Sequence, residues 1–205
     1  MQNGYLEGFL EERGLASNTQ ALIYFAVSKK DEPPIDGITS LNPEGLTVAT
    51  GKWADAVASR IRKADLTCTV VDDEAYRRAM FEKLIWICAF MVVGAVKGGI
   101  TVGEVAKVHE EQVVSVILEM CAAVTEAKGV VFDAGTAERL VAYAYSVAHF
   151  PTAIKEFEWR NGFFWDLSEA AEDEMDDYLD DVLKDPCPLH TYLINSGIVD
   201  DIFSI

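Results

Sequence analysis

The chain has 205 residues, 50% of them apolar, enough to close a hydrophobic core as one domain or two small ones. Its formal charge of −17 argues against nucleic acid, because phosphate binding is driven by Lys and Arg, and equally against an anionic membrane surface. The four cysteines (Cys68, Cys88, Cys121, Cys187) form no C-x-x-C pair and no Cys/His cluster, so reduced thiols are expected. No basic and apolar leader pattern opens the chain, so the expectation is a soluble intracellular protein, cytoplasmic by default.

In chain order, residues 5–13 read as a short helix closed by Gly14. Residues 20–27 (QALIYFAV) are apolar and rich in β-formers, and a breaker cluster follows at Lys29-Lys30-Asp31-Glu32-Pro33-Pro34. Residues 38–41 and 46–50 suggest a hairpin around Asn42-Pro43-Glu44-Gly45. Gly51 then turns the chain into an amphipathic helix with Trp53, Ala56, Val57 and Ile61 on one side, and residues 66–71 read as a further strand.

From Asp72-Asp73 onward the pattern is helical. Either aspartate suits the cap of a long helix ending near Gly98-Gly99. Its apolar run over 84–96 is shorter than the ~20 residues a bilayer span needs, so it reads as a buried helix. Thr101 and Glu104 have the spacing of a capping box, and the helix behind them carries Val113, Ile117, Met120 and Val124 inward and stops at Lys128-Gly129. A helix over 136–150 comes next. Pro151 suits the first turn of another, Ser168 the start of an acidic one, and Pro186 and Pro188 precede a last short helix stopped by Gly197. The composition shift divides the chain into an α/β part, 1–73, and an all-helical part, 74–205.

Several motifs carry no chemistry. Residues 45–53 (GLTVATGKW) are one residue too long for a phosphate-binding loop, and Trp53 stands where a hydroxyl would bind magnesium. The glycines at 94, 98, 99 and 103 do not form G-x-G-x-x-G and follow no predicted strand. His109, His149 and His190 lie far apart, so a metal site or triad has no support and each reads as a surface or partly buried helix residue. The acidic run over 166–185 reads as a solvated helix face; a basic partner is the lesser alternative.

One ordered set of features remains: Asn3-Gly4, a long apolar helix bearing Lys83-Leu84, Gly103-Glu104-Val105, a helix centred on Glu119 and ending at Gly129, and Glu156 five residues before Asn161-Gly162. In this order and spacing the chain resembles the ketopantoate reductases (2-dehydropantoate 2-reductases), read from midway through their nucleotide-binding domain to the C-terminus. The resemblance implies a truncated Rossmann-type α/β segment followed by a helical domain of the ketopantoate reductase and 6-phosphogluconate dehydrogenase type. It implies an NADP-dependent reductase of a 2-keto acid or related carbonyl compound, and a helical domain that mediates dimerisation. Lys83 matches the lysine that hydrogen-bonds the keto oxygen and supplies a proton; its helical neighbours Ala79, Met80, Trp86 and Ile87 are apolar, as a desolvated ammonium requires. Asn3 matches a residue that helps hold cofactor and substrate, Glu156 the glutamate on the substrate hydroxyl, and Thr152 the serine on its carboxylate.

Two departures shape the functional reading. The family's glycine-rich dinucleotide loop has no counterpart here, so the chain alone is expected to bind NADPH poorly or not at all. The asparagines that the family presents four and eight residues after its lysine are Ile87 and Met91 here, so the ligand is more apolar or the cleft no longer does chemistry. The expectations are therefore a partial reductase or a non-catalytic relative serving as a dimerisation or small-molecule-binding scaffold.

Overall fold

The computed structural model describes residues 4–26, 31–173 and 185–204 of the chain. The chain packs as two units, Met1–Lys83 and Leu84–Ile205, which divide inside one long helix.

In the first unit, helix α1 (Glu7–Glu12) closes at Gly14, whose φ of +64° is a left-handed step that glycine takes without a Cβ clash. A three-stranded sheet runs in the order β1 (Gln20–Leu22), β2 (Val48–Thr50), β3 (Thr69–Val70). β1 and β2 are antiparallel, with Ala21 opposite Ala49. β2 and β3 are parallel, with Val48 opposite Thr69, and helix α2 (Ala54–Arg62) makes the crossover that parallel neighbours need. The core between sheet and helix is built from small side chains, Ala21, Ala49, Ala54, Ala58 and Cys68, with Ile23, Val57 and Ile61 packed on its rim.

Local expectations are corrected here by longer-range partners. Within the described part of 20–27 the ladder stops at Leu22: the Tyr24 amide donates to the Thr47 hydroxyl at 3.0 Å, and Ala26 makes an isolated bridge with Ile35. Val27 lies outside the described residues. Residues 38–41 form no strand; the Asn42 amide donates to the Thr39 hydroxyl at 3.0 Å in a tight loop, and β2 pairs with β1 instead. Trp53 does not face inward: it is the N-terminal cap residue of α2 and is 61% exposed.

Helix α3 (Asp73–Val96) starts where the Asp72 carboxylate accepts from the Ala75 amide at 2.8 Å, and it ends before the left-handed pair Gly98 and Gly99. It is long and apolar enough to cross a membrane, yet 78% of its most apolar window is buried, as in the core helix of a globular protein. Helix α4 (Val102–Val108) carries the full capping box between Thr101 and Glu104. The single helix foreseen behind that box is in fact two, because the chain leaves helical geometry at His109 (φ −122°, ψ 28°) before α5 (Glu110–Lys128) begins. α5 ends at left-handed Gly129 and buries Val113, Ile117, Met120 and Val124, as their spacing predicts.

Helices α6 (Thr136–Ser146), α7 (Asn161–Asp173) and α8 (Pro188–Val199) complete the second unit, with α5 packed against α4, α6, α7 and α8. Pro151 opens no helix but bridges to Thr101. Ser168 lies inside α7 and so starts no separate helix. Gly197 does not stop α8; it makes room for the Phe203 ring, which an added Cβ would meet at 2.3 Å. His190 is fully buried, not a surface residue. Most of the acidic run, residues 174–184, lies outside the described residues. All four cysteines are free and buried, and among the described residues no His, Cys, Asp and Glu group is suited to hold a metal.

Candidate functional site

The segment between α6 and α7 is held at each step. The first two amides of α4 are orphans by helix geometry, and here they donate to this segment: Val102 to the Phe150 carbonyl and Gly103 to that of Ala148, both at 2.9 Å. A Cβ at Gly103 would stand 2.6 Å from that of Ala148, so glycine permits the approach. Thr152 is buried, donates its hydroxyl to the Ile100 carbonyl at 2.6 Å, and fills the space left by Gly94 on α3.

The chain then enters an unusual turn. Glu156 sits in the left-handed region (φ 52°, ψ 47°) ahead of a 3-10 turn over Phe157–Trp159. Among the described residues the other non-glycines at positive φ are Asp31, Asp65 and Asp201, a residue type that reaches this region far more readily than glutamate. The Glu156 carboxylate, 60% exposed, pairs at 2.5 Å with Arg160, whose side chain is only 13% exposed. Gly162 is required next, because a Cβ there would meet the Phe157 carbonyl oxygen at 2.7 Å.

Asn161 fixes this turn to the core. It is 1% exposed, and its amide nitrogen donates to the Cys88 carbonyl of α3 at 3.3 Å and lies 3.1 Å from His190 Nε2. An amide nitrogen can only donate, so Nε2 accepts and the ring proton sits on Nδ1, which meets no hydrogen-bond partner among the described residues. Burial lowers the His190 pKa to about 4, so the ring is neutral. From α5, Glu119 accepts from the Leu189 amide at 3.0 Å and the His190 amide at 2.6 Å, capping α8 from a distance. Burial pushes its carboxyl up to about 7, against the pull of those two amides. Asp185 accepts from the Cys187 amide (2.7 Å) and the Ser168 hydroxyl (2.6 Å), completing a polar cluster at the head of α8.

In the first unit, Lys83 is half-buried. Its ammonium donates to the Ile23 carbonyl beyond β1 and stands 5.0 Å from the Tyr24 ring centroid, a cation–π distance. α3 carries Ile87 and Met91 at the next two four-residue steps, Ile87 buried and Met91 half-buried. Asn3 lies outside the described residues. The sequence reading thus named Glu156, Thr152 and the Asn161-Gly162 pair but missed Arg160, although a Glu/Arg pair four residues apart was there to be read.

A dinucleotide needs free backbone amides at a strand-to-helix turn for its pyrophosphate. At the β2–α2 turn the Trp53 amide is taken by the Thr19 hydroxyl at 2.9 Å and the Ala54 amide by the Gly51 carbonyl at 3.0 Å. The β3–α3 turn opens on Asp72 and Asp73, with Asp73 accepting from the Thr50 hydroxyl at 2.8 Å. Beside it lies a cleft of about 440 Å³ lined by Glu7, Glu11 and Asp73, with Arg77 already paired to Glu7 at 2.7 Å. Carboxylates so placed repel phosphate, and the described residues do not fit a dinucleotide.

A small α/β unit followed along the chain by an all-helical unit is a truncated Rossmann-type segment with a helical domain. The particular fold is that of the ketopantoate reductases. The chain superposes on the PanE/ApbA family ketopantoate reductase of Ralstonia eutropha JMP134 with a TM-score of 0.66 at 18% identity, covering 98% of this chain and 65% of that one. A D-mandelate dehydrogenase solved in complex with NADH gives 0.58 at 13% identity, covering 99% and 80%. The dimeric ketopantoate reductase of Staphylococcus aureus gives 0.58 at 16%, covering 97% and 67%. Neither protein-family models nor curated protein sequences give a match.

Proposed function

We propose that this chain is the carbonyl-binding part of a ketopantoate-reductase-like oxidoreductase, acting on a 2-keto acid or related carbonyl compound more apolar than ketopantoate. Lys83 donates a hydrogen bond, and finally a proton, to the keto oxygen, where an ammonium stabilises developing alkoxide charge. Glu156 receives the ligand's hydroxyl group, Thr152 supports the segment on which Glu156 sits, and Ile87 with Met91 supplies an apolar wall. The dinucleotide that donates hydride in the family is NADP; this chain alone binds it poorly or not at all, and Asn3 is the one residue assigned to its side.

The observation that carries this reading is the left-handed Glu156, a glutamate held in a costly backbone state by Gly162, Arg160 and Asn161. Strain of this kind, about 1–3 kcal/mol, persists where surrounding structure enforces it, and it concentrates at ligand sites. The described family relative from Staphylococcus aureus is dimeric, which supports a homodimer here as well. The chain is read as a soluble intracellular protein. The apolar pair Ile87 and Met91 favours a second reading, a non-catalytic small-molecule-binding scaffold.

Titration with 3,3-diethyl-4-hydroxy-2-oxobutanoate, a more apolar analogue of ketopantoate that keeps its hydroxyl group, followed by amide NMR shifts, tests the first reading. Lys83→Ala and Glu156→Gln are each expected to weaken binding at least tenfold with the fold intact. Unchanged affinity in both variants leaves the scaffold as the function.

A further inference from the structure

Backbone register shows which edge of the small sheet is open. The Thr69 and Val71 amides donate to the Thr47 and Ala49 carbonyls, so these residues turn their polar groups toward β3, while Val48 and Thr50 turn theirs toward β1. Val48 and Thr50 thus exchange bonds with Leu22 and Gln20, and Ala21 opposite Ala49 exchanges none. The N–H and C=O of Ala21 point out of the sheet, as do those of Ile23. The Ile23 carbonyl receives the Lys83 ammonium. The Ala21 amide, the Ala21 carbonyl and the Ile23 amide meet no hydrogen-bond partner among the described residues. The opposite edge differs: β3 is two residues long, and the Arg62 guanidinium holds the adjoining Cys68 carbonyl at 2.5 Å.

Beside the open edge lies a groove of about 480 Å³ between β1 and α2, where Ile23, Phe25, Val57 and Ile61 are half-buried. No carboxylate lines it, and the exposed Arg60 is its one ionised side chain. In a chain of formal charge −17, this is a surface where two copies meet without opposing carboxylates. An unpaired edge flanked by apolar surface is a template for another strand.

A second copy completes this edge with no further element. Antiparallel pairing about a two-fold axis requires, at the axis, a residue that offers both a donor and an acceptor, and Ala21 offers both. With Ala21 on the axis, each copy's Ala21 bonds its counterpart, and each Ile23 amide comes opposite the Thr19 carbonyl of the other copy. The strand order becomes β3-β2-β1-β1-β2-β3. Ala21 and Ile23 pack on the α2 side of β1, so the same axis brings the two grooves together on one face of the joined sheet.

We propose that this chain forms a two-fold dimer through the free edge of β1, with Ala21 at the axis and the two apolar grooves side by side. The assignment rests on the homodimer reading above and names its surface. Strands this short make a small interface, so the association is concentration-dependent.

Sedimentation equilibrium of the whole chain is expected to show a dimer that dissociates on dilution. Ala21→Pro removes the N–H at the axis and spares the ladder to β2, a change that edge strands accept where the N–H faces outward; it should weaken dimerisation roughly tenfold or more. In the unaltered chain, the Ala21 and Ile23 amides should exchange with deuterium more slowly as concentration rises, while the Leu22 amide, bonded within the sheet, does not change. This exchange experiment decides the matter if Ala21→Pro does not fold. A folded Ala21→Pro that dimerises like wild type overturns the β1 assignment and leaves a homodimer built on another surface. So does a wild-type dimer whose Ala21 and Ile23 exchange is independent of concentration. A wild type that is monomeric at every concentration overturns both.

Discussion

The two units solve the same packing problem with different materials. The first packs a three-stranded sheet of very short strands against α2 over alanines and one cysteine, and buries Leu22, Tyr24, Met80 and Phe81 apart from that cluster. The second buries Phe90, Phe164, Ile117, Met120, Leu140 and Ile194 almost completely around α5. Small side chains let α2 lie close to the sheet but remove little apolar area from water, at roughly 25 cal/mol per Å². The second unit also holds a polar cluster of buried Asn161 and His190 with half-buried Glu119 and Asp185, whereas the first unit buries the hydroxyls of Thr47 and Thr50. Within the second unit, Asn161 ties the strained Glu156 turn to this cluster.

The largest expected effect tests that contrast in the cores. Phe164→Ala should cost about 3–5 kcal/mol in urea unfolding, against about 1–2 kcal/mol for Ile61→Ala on the rim of the first core. Equal losses would erase the distinction. A smaller effect sharpens the role of the polar cluster: Asn161→Leu leaves His190 Nε2 buried and unpaired, and should cost about 1–3 kcal/mol and loosen the 156–162 segment in hydrogen exchange. Protection unchanged in that segment would show that Asn161 does not anchor it. Thr101→Ala removes one half of a solvent-facing capping box, with an expected loss of about 1 kcal/mol and no change at Glu156.

The pH dependence of stability should be the smallest net effect, because two groups oppose each other. His190, lowered in the fold from 6.5 to about 4, contributes stability that is present above pH 6.5 and lost as pH falls toward 4. Glu119, raised in the fold from 4.5 to about 7, contributes stability that is present below pH 4.5 and lost as pH rises toward 7. Between these limits the slopes partly cancel. Glu119→Gln should uncover the His190 slope, so that urea midpoints rise steadily from pH 4.5 to 6.5; a profile identical to wild type would remove Glu119 from the account.

What the sequence disclosed divides along the same line. Signals confined to a few residues were readable: the Thr101–Glu104 box, left-handed Gly129 at the end of α5, and the four-three-four spacing that buries Val113, Ile117, Met120 and Val124. Signals that depend on distant partners were not. Residues 38–41 have strand-like composition, yet β2 pairs with β1, because a local hairpin and a tertiary ladder compete for the same donors. Trp53 falls on the apolar side of a helical wheel, but the helix starts one residue later, and the side chain stays in water. His190 sits in an apolar stretch where a histidine reads equally as surface or core; only the approach of Asn161 and Glu119 decides it. Family resemblance singled out Glu156 and Asn161-Gly162 in the sequence, whereas the left-handed turn at Glu156 and the burial of Arg160 depend on partners that no local pattern reveals.

The function proposed for this chain is the carbonyl-binding side of a reductase fold, with no phosphate cradle among the described residues. Calorimetric titration of NADPH into the chain tests it most directly. No measurable heat of binding is expected into the millimolar range, because Glu7, Glu11 and Asp73 line the cleft that both strand-to-helix turns border. A micromolar dissociation constant would contradict it and place the dinucleotide on these residues after all.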